Sequence, residues 1–150
     1  MSTSPILFYG TQSEYGEFSN WFPADFLYDG HKWANTEQAF MYYKSDDSEY
    51  RKQVRAASDP RAVKKLGRNC KLRSDWDNVK YDIMLGVNLA KFEQSPYLRN
   101  LLLETGERSI HENCADKWWG GGPNFPGGRD WLGKVLMSVR TTIRANRGSK

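Results

Sequence analysis

Residues 118–130, Trp-Trp-Gly-Gly-Gly-Pro-Asn-Phe-Pro-Gly-Gly-Arg-Asp, constrain the fold of this chain more than any other segment. Five glycines and two prolines in that span exclude a helix or a central strand. Glycine loses the most backbone freedom on ordering, and proline removes an amide donor. Regular structure must therefore be built around a long irregular loop. The patterns on either side of it are mainly helical. In residues 75–92, Trp76, Val79, Ile83, Val87 and Ala90 recur at spacings of three and four, which predicts one apolar stripe on a long helix. Gly86 interrupts that helix and is expected to mark close approach by another element.

Residues 132–143, bearing Val135, Leu136, Val139 and Ile143, predict a final helix, and residues 96–104 a shorter one ended by Gly106. Further helices are expected over 47–57 and from Asp59-Pro60, where an Asp cap precedes a proline at the first helical position and Gly67 lies near the end. Short strands are expected at 6–9, at 26–28 and 31–33 around Asp29-Gly30, and at 109–112. These elements imply an α+β fold: one predominantly helical domain over residues 1–150 with a small, minor β-sheet.

A chain of 150 residues has room for a real core. Six Trp, eight Tyr and seven Phe are a heavy aromatic load for that size; such rings fill cores, and Trp and Tyr also stack on flat heterocycles. The net charge of +4 suits anionic partners, and part of it sits in a basic tail over residues 140–150. Cys70 and Cys114 form no Cys-x-x-Cys unit, and His31 and His111 are the only histidines, so neither a metal nor another cofactor is expected. Both histidines read as surface or structural residues. No basic segment leads into a long apolar run, so we expect an intracellular protein, cytoplasmic or nuclear, with no membrane partner.

Two segments carry candidate chemistry. In residues 35–44, Asn-Thr-Glu-Gln-Ala-Phe-Met-Tyr-Tyr-Lys, Asn35 is expected to cap a helix with Gln38 as its capping-box partner. Glu37 and Lys44 would then lie about two turns apart on one side, a carboxylate and an amine able to share acid–base and nucleophilic work. In the glycine-rich loop, the amides near Gly120, Gly121 and Gly122 together with Arg129 form a candidate oxyanion cradle. Extended backbone there would send Trp118 and Trp119 to opposite sides, one to the core and one to a ligand. Asn20, in Phe18-Ser19-Asn20, offers donors and an acceptor suited to a base edge.

The ordered set Phe8-Tyr9, Phe18-Ser19-Asn20, Trp33-x-x-Thr36-Glu37-x-x-Phe40, Lys44, Gly67-Arg68, Trp76, Val79-Lys80, Lys91-Phe92, Trp119-Gly120-x-Gly122 and Leu132-Gly133-x-x-Leu136-Met137 resembles the NADAR family across nearly the whole chain. The resemblance implies cleavage of N-glycosidic bonds, either of riboflavin-pathway pyrimidine ribosyl phosphates or between ADP-ribose and guanine in DNA. It implies catalytic roles for Glu37 and Lys44 and stacking by Trp119. Asn20 would hold the base edge, while Gly120, Gly122, Arg129 and Asp130 would meet the rest of the substrate. The sequence departs from the family pattern at Gly121, where an Asp is usual, at His111, where a Glu is usual, and at Asp130, where an Asn precedes Leu-Gly.

The loss of two acids points away from the riboflavin-pathway reaction and toward an anion-tolerant cleft. The expected partner is thus ADP-ribosylated guanine in single-stranded DNA, with ADP-ribose as product. A non-catalytic module that binds ADP-ribose or modified nucleic acid is the reading from a different class.

Overall fold

A computed structural model describes residues 2–148. In chain order the elements are β1 (Ile6–Phe8), a 3-10 turn (Gly16–Phe18), β2 (Phe26–Tyr28), β3 (His31–Trp33), α1 (Thr36–Tyr42), α2 (Ser48–Ala56), α3 (Pro60–Asn69), α4 (Trp76–Gln94), α5 (Pro96–Glu104), β4 (Ile110–Glu112) and α6 (Trp131–Gly148). The α+β class holds, helices dominating two short two-stranded sheets. The basic tail is described through residue 148, and Ser149 and Lys150 lie outside the described residues. The chain forms two compact units, Met1–Phe22 with Phe92–Lys150, and Pro23–Lys91.

In the first unit, β1 and β4 pair in parallel, Ile6 opposite Ile110 and Phe8 opposite Glu112, although about a hundred residues separate them in the chain. Ile6, Phe8, Phe18, Leu102, Ile110, Leu132, Leu136 and Val139 form its buried apolar centre. Any side chain at Gly133 would collide with the Ile110 carbonyl, so this glycine lets α6 lie close on β4. Arg140 of α6 is buried and donates to Thr105 Oγ1 at 2.9 Å and to the Arg108 carbonyl at 2.7 Å. It thereby fixes the connection after α5.

In the second unit, β2 and β3 form the expected hairpin, with Phe26 opposite Trp33 and Tyr28 opposite His31. Asp29 and Gly30 both take positive φ, 55° and 76°, as a two-residue hairpin turn requires. Gly86 behaves as the sequence implies: a Cβ there would come within 2.8 Å of the Tyr28 hydroxyl, so α4 receives the end of β2 at that point. The α4 stripe itself differs from expectation. Val79, Ile83 and Ala90 are only half-buried, whereas the buried line is Trp76, Lys80, Met84, Val87, Asn88, Lys91 and Phe92. Apolar spacing alone misplaces the face because three of its buried positions are polar.

The cap of α1 also refines the prediction. Asn35 Oδ1 accepts from the Gln38 amide at 2.8 Å, but Gln38 Oε1 accepts from Ala34 N–H, one residue earlier than in a standard capping box. The Gln38 amide nitrogen donates to the carbonyls of Val54 and Ala57 at 3.0 and 2.9 Å, which ties the start of α1 to the end of α2.

Candidate active site

The second unit contains Glu37 and Lys44, in an arrangement other than the predicted one. Helix α1 stops at Tyr42, so Lys44 lies in the turn beyond it and the pair does not share two turns of one helix. The reason lies at the helix end: Lys44 N–H bonds back to Met41 O, and Arg73 takes the Tyr43 and Lys44 carbonyls with its guanidinium and its amide. Tyr43 and Lys44 lie past the last helical residue, and with their carbonyls held by Arg73 they do not extend the helical ladder. Lys44 Nζ donates to the Gly67 carbonyl at 3.1 Å, in the last turn of α3, where a helix end favours a cation.

Gly67 is needed for a related reason, since a Cβ there would lie 2.5 Å from Met41 Sδ. Glu37 stands on the first turn of α1, near enough to Tyr50 for its charge to act on that phenol. The Tyr50 hydroxyl is pushed well above its ordinary range, first by burial, then by Cys70 and by Glu37, and it donates to Met41 O at 2.6 Å.

The first unit contains the other predicted residues. Trp118 and Trp119 occupy a turn rather than extended backbone, because Asp116 Oδ1 accepts from both of their amides at 2.9 Å. Both rings consequently approach Trp131, at 5.1 and 5.7 Å between centroids, instead of parting to opposite sides. Arg129 is exposed, and its guanidinium lies 3.7 Å from the centroid of Trp118, a cation held over an aromatic face.

The predicted amide cradle is largely consumed by the loop. Gly120 N–H donates to Asp116 O and Gly121 N–H to Glu112 O, both at 3.0 Å, while Asp130 N–H returns to Gly120 O. These glycines permit close packing of the loop on itself. A side chain at Gly121 would meet Asp130 Cβ at 2.6 Å, so the folded loop has no room for an acid at that position. Gly122, with φ 96°, lies under the His111 ring. Asn20 follows the 3-10 turn and is buried.

Two residues outside the predicted set stand out. His111 is neither exposed nor loose. Its Nδ1 lies 2.6 Å from Asp130 Oδ2 and its Nε2 2.9 Å from Ser109 Oγ, with the His111 and Asp130 side chains both mostly buried. Asp130 holds a positive φ of 61° ahead of α6, and its Oδ1 is buried without a hydrogen-bond partner. Glu112, the next residue along β4, has its carboxyl pushed up to about 7, first by burial and then by the Asp116 charge, against a lowering contact from Cys114. Cys114 is itself raised, chiefly by burial.

One residue beyond the position where the family pattern has an acid, Glu112 thus carries a carboxyl largely withdrawn from water. The signal available in the sequence was a carboxylate inside a short strand that leads directly into the tryptophan turn. Both cysteines are free thiols. Among the described residues no group of three or more His, Cys, Asp or Glu side chains is arranged to hold a metal ion, and no helix is long and apolar enough to cross a membrane.

Comparison with known proteins matches this arrangement to one family. The NADAR domain model covers residues 7–144. The chain is 38% identical over 146 residues to N-glycosidase YbiA of Shigella flexneri serotype 5b, covering 95% of this chain and 91% of that protein. It is 31% identical to the chloroplastic riboflavin biosynthesis protein PYRR of Zea mays, covering 94% of this chain and a quarter (25%) of that protein. The NMR structure of Escherichia coli YbiA superposes with a TM-score of 0.91 at 34% identity, covering all of this chain and 90% of that one.

Proposed function

The chain belongs to the NADAR family, and from that premise we propose that it hydrolyses the N-glycosidic bond between ADP-ribose and guanine in nucleic acid. The observation that carries the choice of substrate is the exposed Arg129 guanidinium stacked on Trp118, next to Trp119 in the glycine-rich turn. A cation fixed on an aromatic face suits a ligand that joins phosphate to a flat base. Gly121 adds no negative charge to that turn.

The bond to be broken joins C1″ of ribose to the exocyclic nitrogen of guanine. Positive charge develops on the sugar as the bond lengthens, and the departing nitrogen needs a proton. Glu37 is assigned the carboxylate that stabilises the sugar charge and activates water for addition at C1″. The proton that Glu37 takes from that water is the one it returns to the departing nitrogen. Asn20 is assigned to the base edge and Trp119 to its face. The Lys44 amine is engaged with Gly67 O, which favours an electrostatic clamp over a nucleophile that would form a Schiff base with the opened sugar.

Incubation with single-stranded DNA bearing ADP-ribosyl-guanine is expected to release ADP-ribose and restore guanine. Absence of release at high enzyme concentration would refute the assignment. Binding without release would instead indicate a reader. Borohydride trapping of an adduct that vanishes in Lys44→Ala would reinstate the nucleophilic route. The similarity to a riboflavin biosynthesis protein favours one alternative, hydrolysis of a pyrimidine ribosyl phosphate, and a much higher kcat/KM on that compound would select it.

A further inference from the structure

We propose that the concave surface between the end of α1 and helix α2, lined by Tyr42, Arg51, Lys52 and Arg55, is where the sugar–phosphate backbone of a single nucleic-acid strand binds. The inference rests on the reading of a nucleic-acid substrate given above and names the surface that would hold the strand. Positive charge in this chain is concentrated rather than spread. Residues 46–75 contain nine Lys and Arg against five acids, a surplus of four that equals the net charge of the whole chain.

Most of those cations are exposed, including Lys52, Arg55, Arg61, Lys64, Lys65 and Arg68. Their field extends about one Debye length, roughly 8 Å at physiological salt, and draws a polyanion to this part of the molecule. Within that field lies an open cavity of about 570 Å³ that also includes Asp46, Ser48 and Ala56. Arg51 is held in it with its guanidinium 4.7 Å from the Tyr42 ring centroid and its Nε donating to Ser45 O at 2.7 Å. Asp46 approaches Arg51 at 3.5 Å but is largely exposed and offsets little of the local positive charge.

Nucleic acid fits this surface better than a lipid bilayer does. A membrane-surface helix needs an outward apolar row, and α2 and α3 turn theirs inward as Tyr50, Val54 and Val63. An aromatic face interleaved with arginine and lysine is the composition that single-strand sites use.

The test is anisotropy of a short, unmodified fluorescent single strand titrated with wild type and with Lys52→Gln/Arg55→Gln, alongside hydrolysis of an ADP-ribosylated guanosine mononucleotide. Both side chains are exposed, and a matching Tm verifies that the variant folds. Loss of two phosphate contacts is expected to weaken strand binding about 25-fold near 0.1 M salt and to flatten the log–log salt slope by about 1.4. Turnover of the mononucleotide should be unchanged. Strand affinity and slope equal to wild type in the variant overturn the proposal even if hydrolysis proceeds. Absence of strand binding by wild type overturns it too, as does equally tight binding to polyglutamate or phosphatidylserine vesicles. Strand binding that depends on Lys52 and Arg55 supports the surface even if no ADP-ribose is released, so this proposal and the enzymatic one fail separately.

Discussion

Burial decides the behaviour of Glu112. A carboxyl taken out of water and faced by the Asp116 charge resists ionisation, so it titrates near 7 rather than 4.5. Because the folded value exceeds the unfolded one, the folded state binds more protons between those limits. The contribution of Glu112 to stability is complete below about 4.5 and is lost as pH rises through about 7. Glu112→Gln should therefore melt like wild type near pH 4 and above it near pH 8, by at most about 3 kcal/mol. Equal denaturation midpoints across that range would show that the carboxyl is not perturbed by its surroundings. Glu37 is expected to act on rate rather than fold. Glu37→Gln should keep its Tm and lose about 100-fold or more in kcat, the range for a missing acid–base group. Near-normal turnover would remove Glu37 from the reaction.

Among the elements, Gln38 joins two helices through one amide. It accepts from Ala34 and donates to carbonyls at the end of α2, all in buried or partly buried surroundings. Gln38→Ala leaves those backbone groups unmet and should cost about 3 kcal/mol in urea unfolding, whereas a loss below about 1 kcal/mol would mean that water replaces the amide without penalty. Most elements could be read from the chain: Asn35, Asp47, Asp59 and Ser95 all cap helices through their side chains, and Asp29-Gly30 makes the hairpin. The end of α1 could not, because Arg73, thirty residues away, supplies the bonds that terminate it. The buried face of α4 also escaped periodicity, since Lys80, Asn88 and Lys91 occupy it. Capping is local chemistry carried by neighbours in sequence, whereas termination and burial depend on residues distant in sequence.

For the molecule as a whole, the uneven distribution of charge predicts that salt affects long and short substrates differently. Between low and physiological salt, kcat/KM on a modified oligonucleotide should fall several-fold while that on a modified mononucleotide stays nearly flat, because only the strand gains from the field of residues 46–75. Parallel slopes for the two substrates would show that the field has no part in capture. The candidate residues were legible as types, but their uses were not. Glu37 and Trp119 lie within the residues that the family model covers, yet the glycine amides are spent inside the loop, and His111 is tied to Asp130 rather than solvated. Tertiary hydrogen bonding decides such outcomes, and no local pattern records it. The parallel pairing of β1 with β4 has a kinetic consequence as well. The first strand leaves the ribosome long before its mate is synthesised, and high contact order makes that closure slow. In pulse-labelled refolding, amides of α1, α2 and α3 should gain protection from exchange before those of β1 and β4, and the reverse order would show that the amino-terminal strand nucleates assembly.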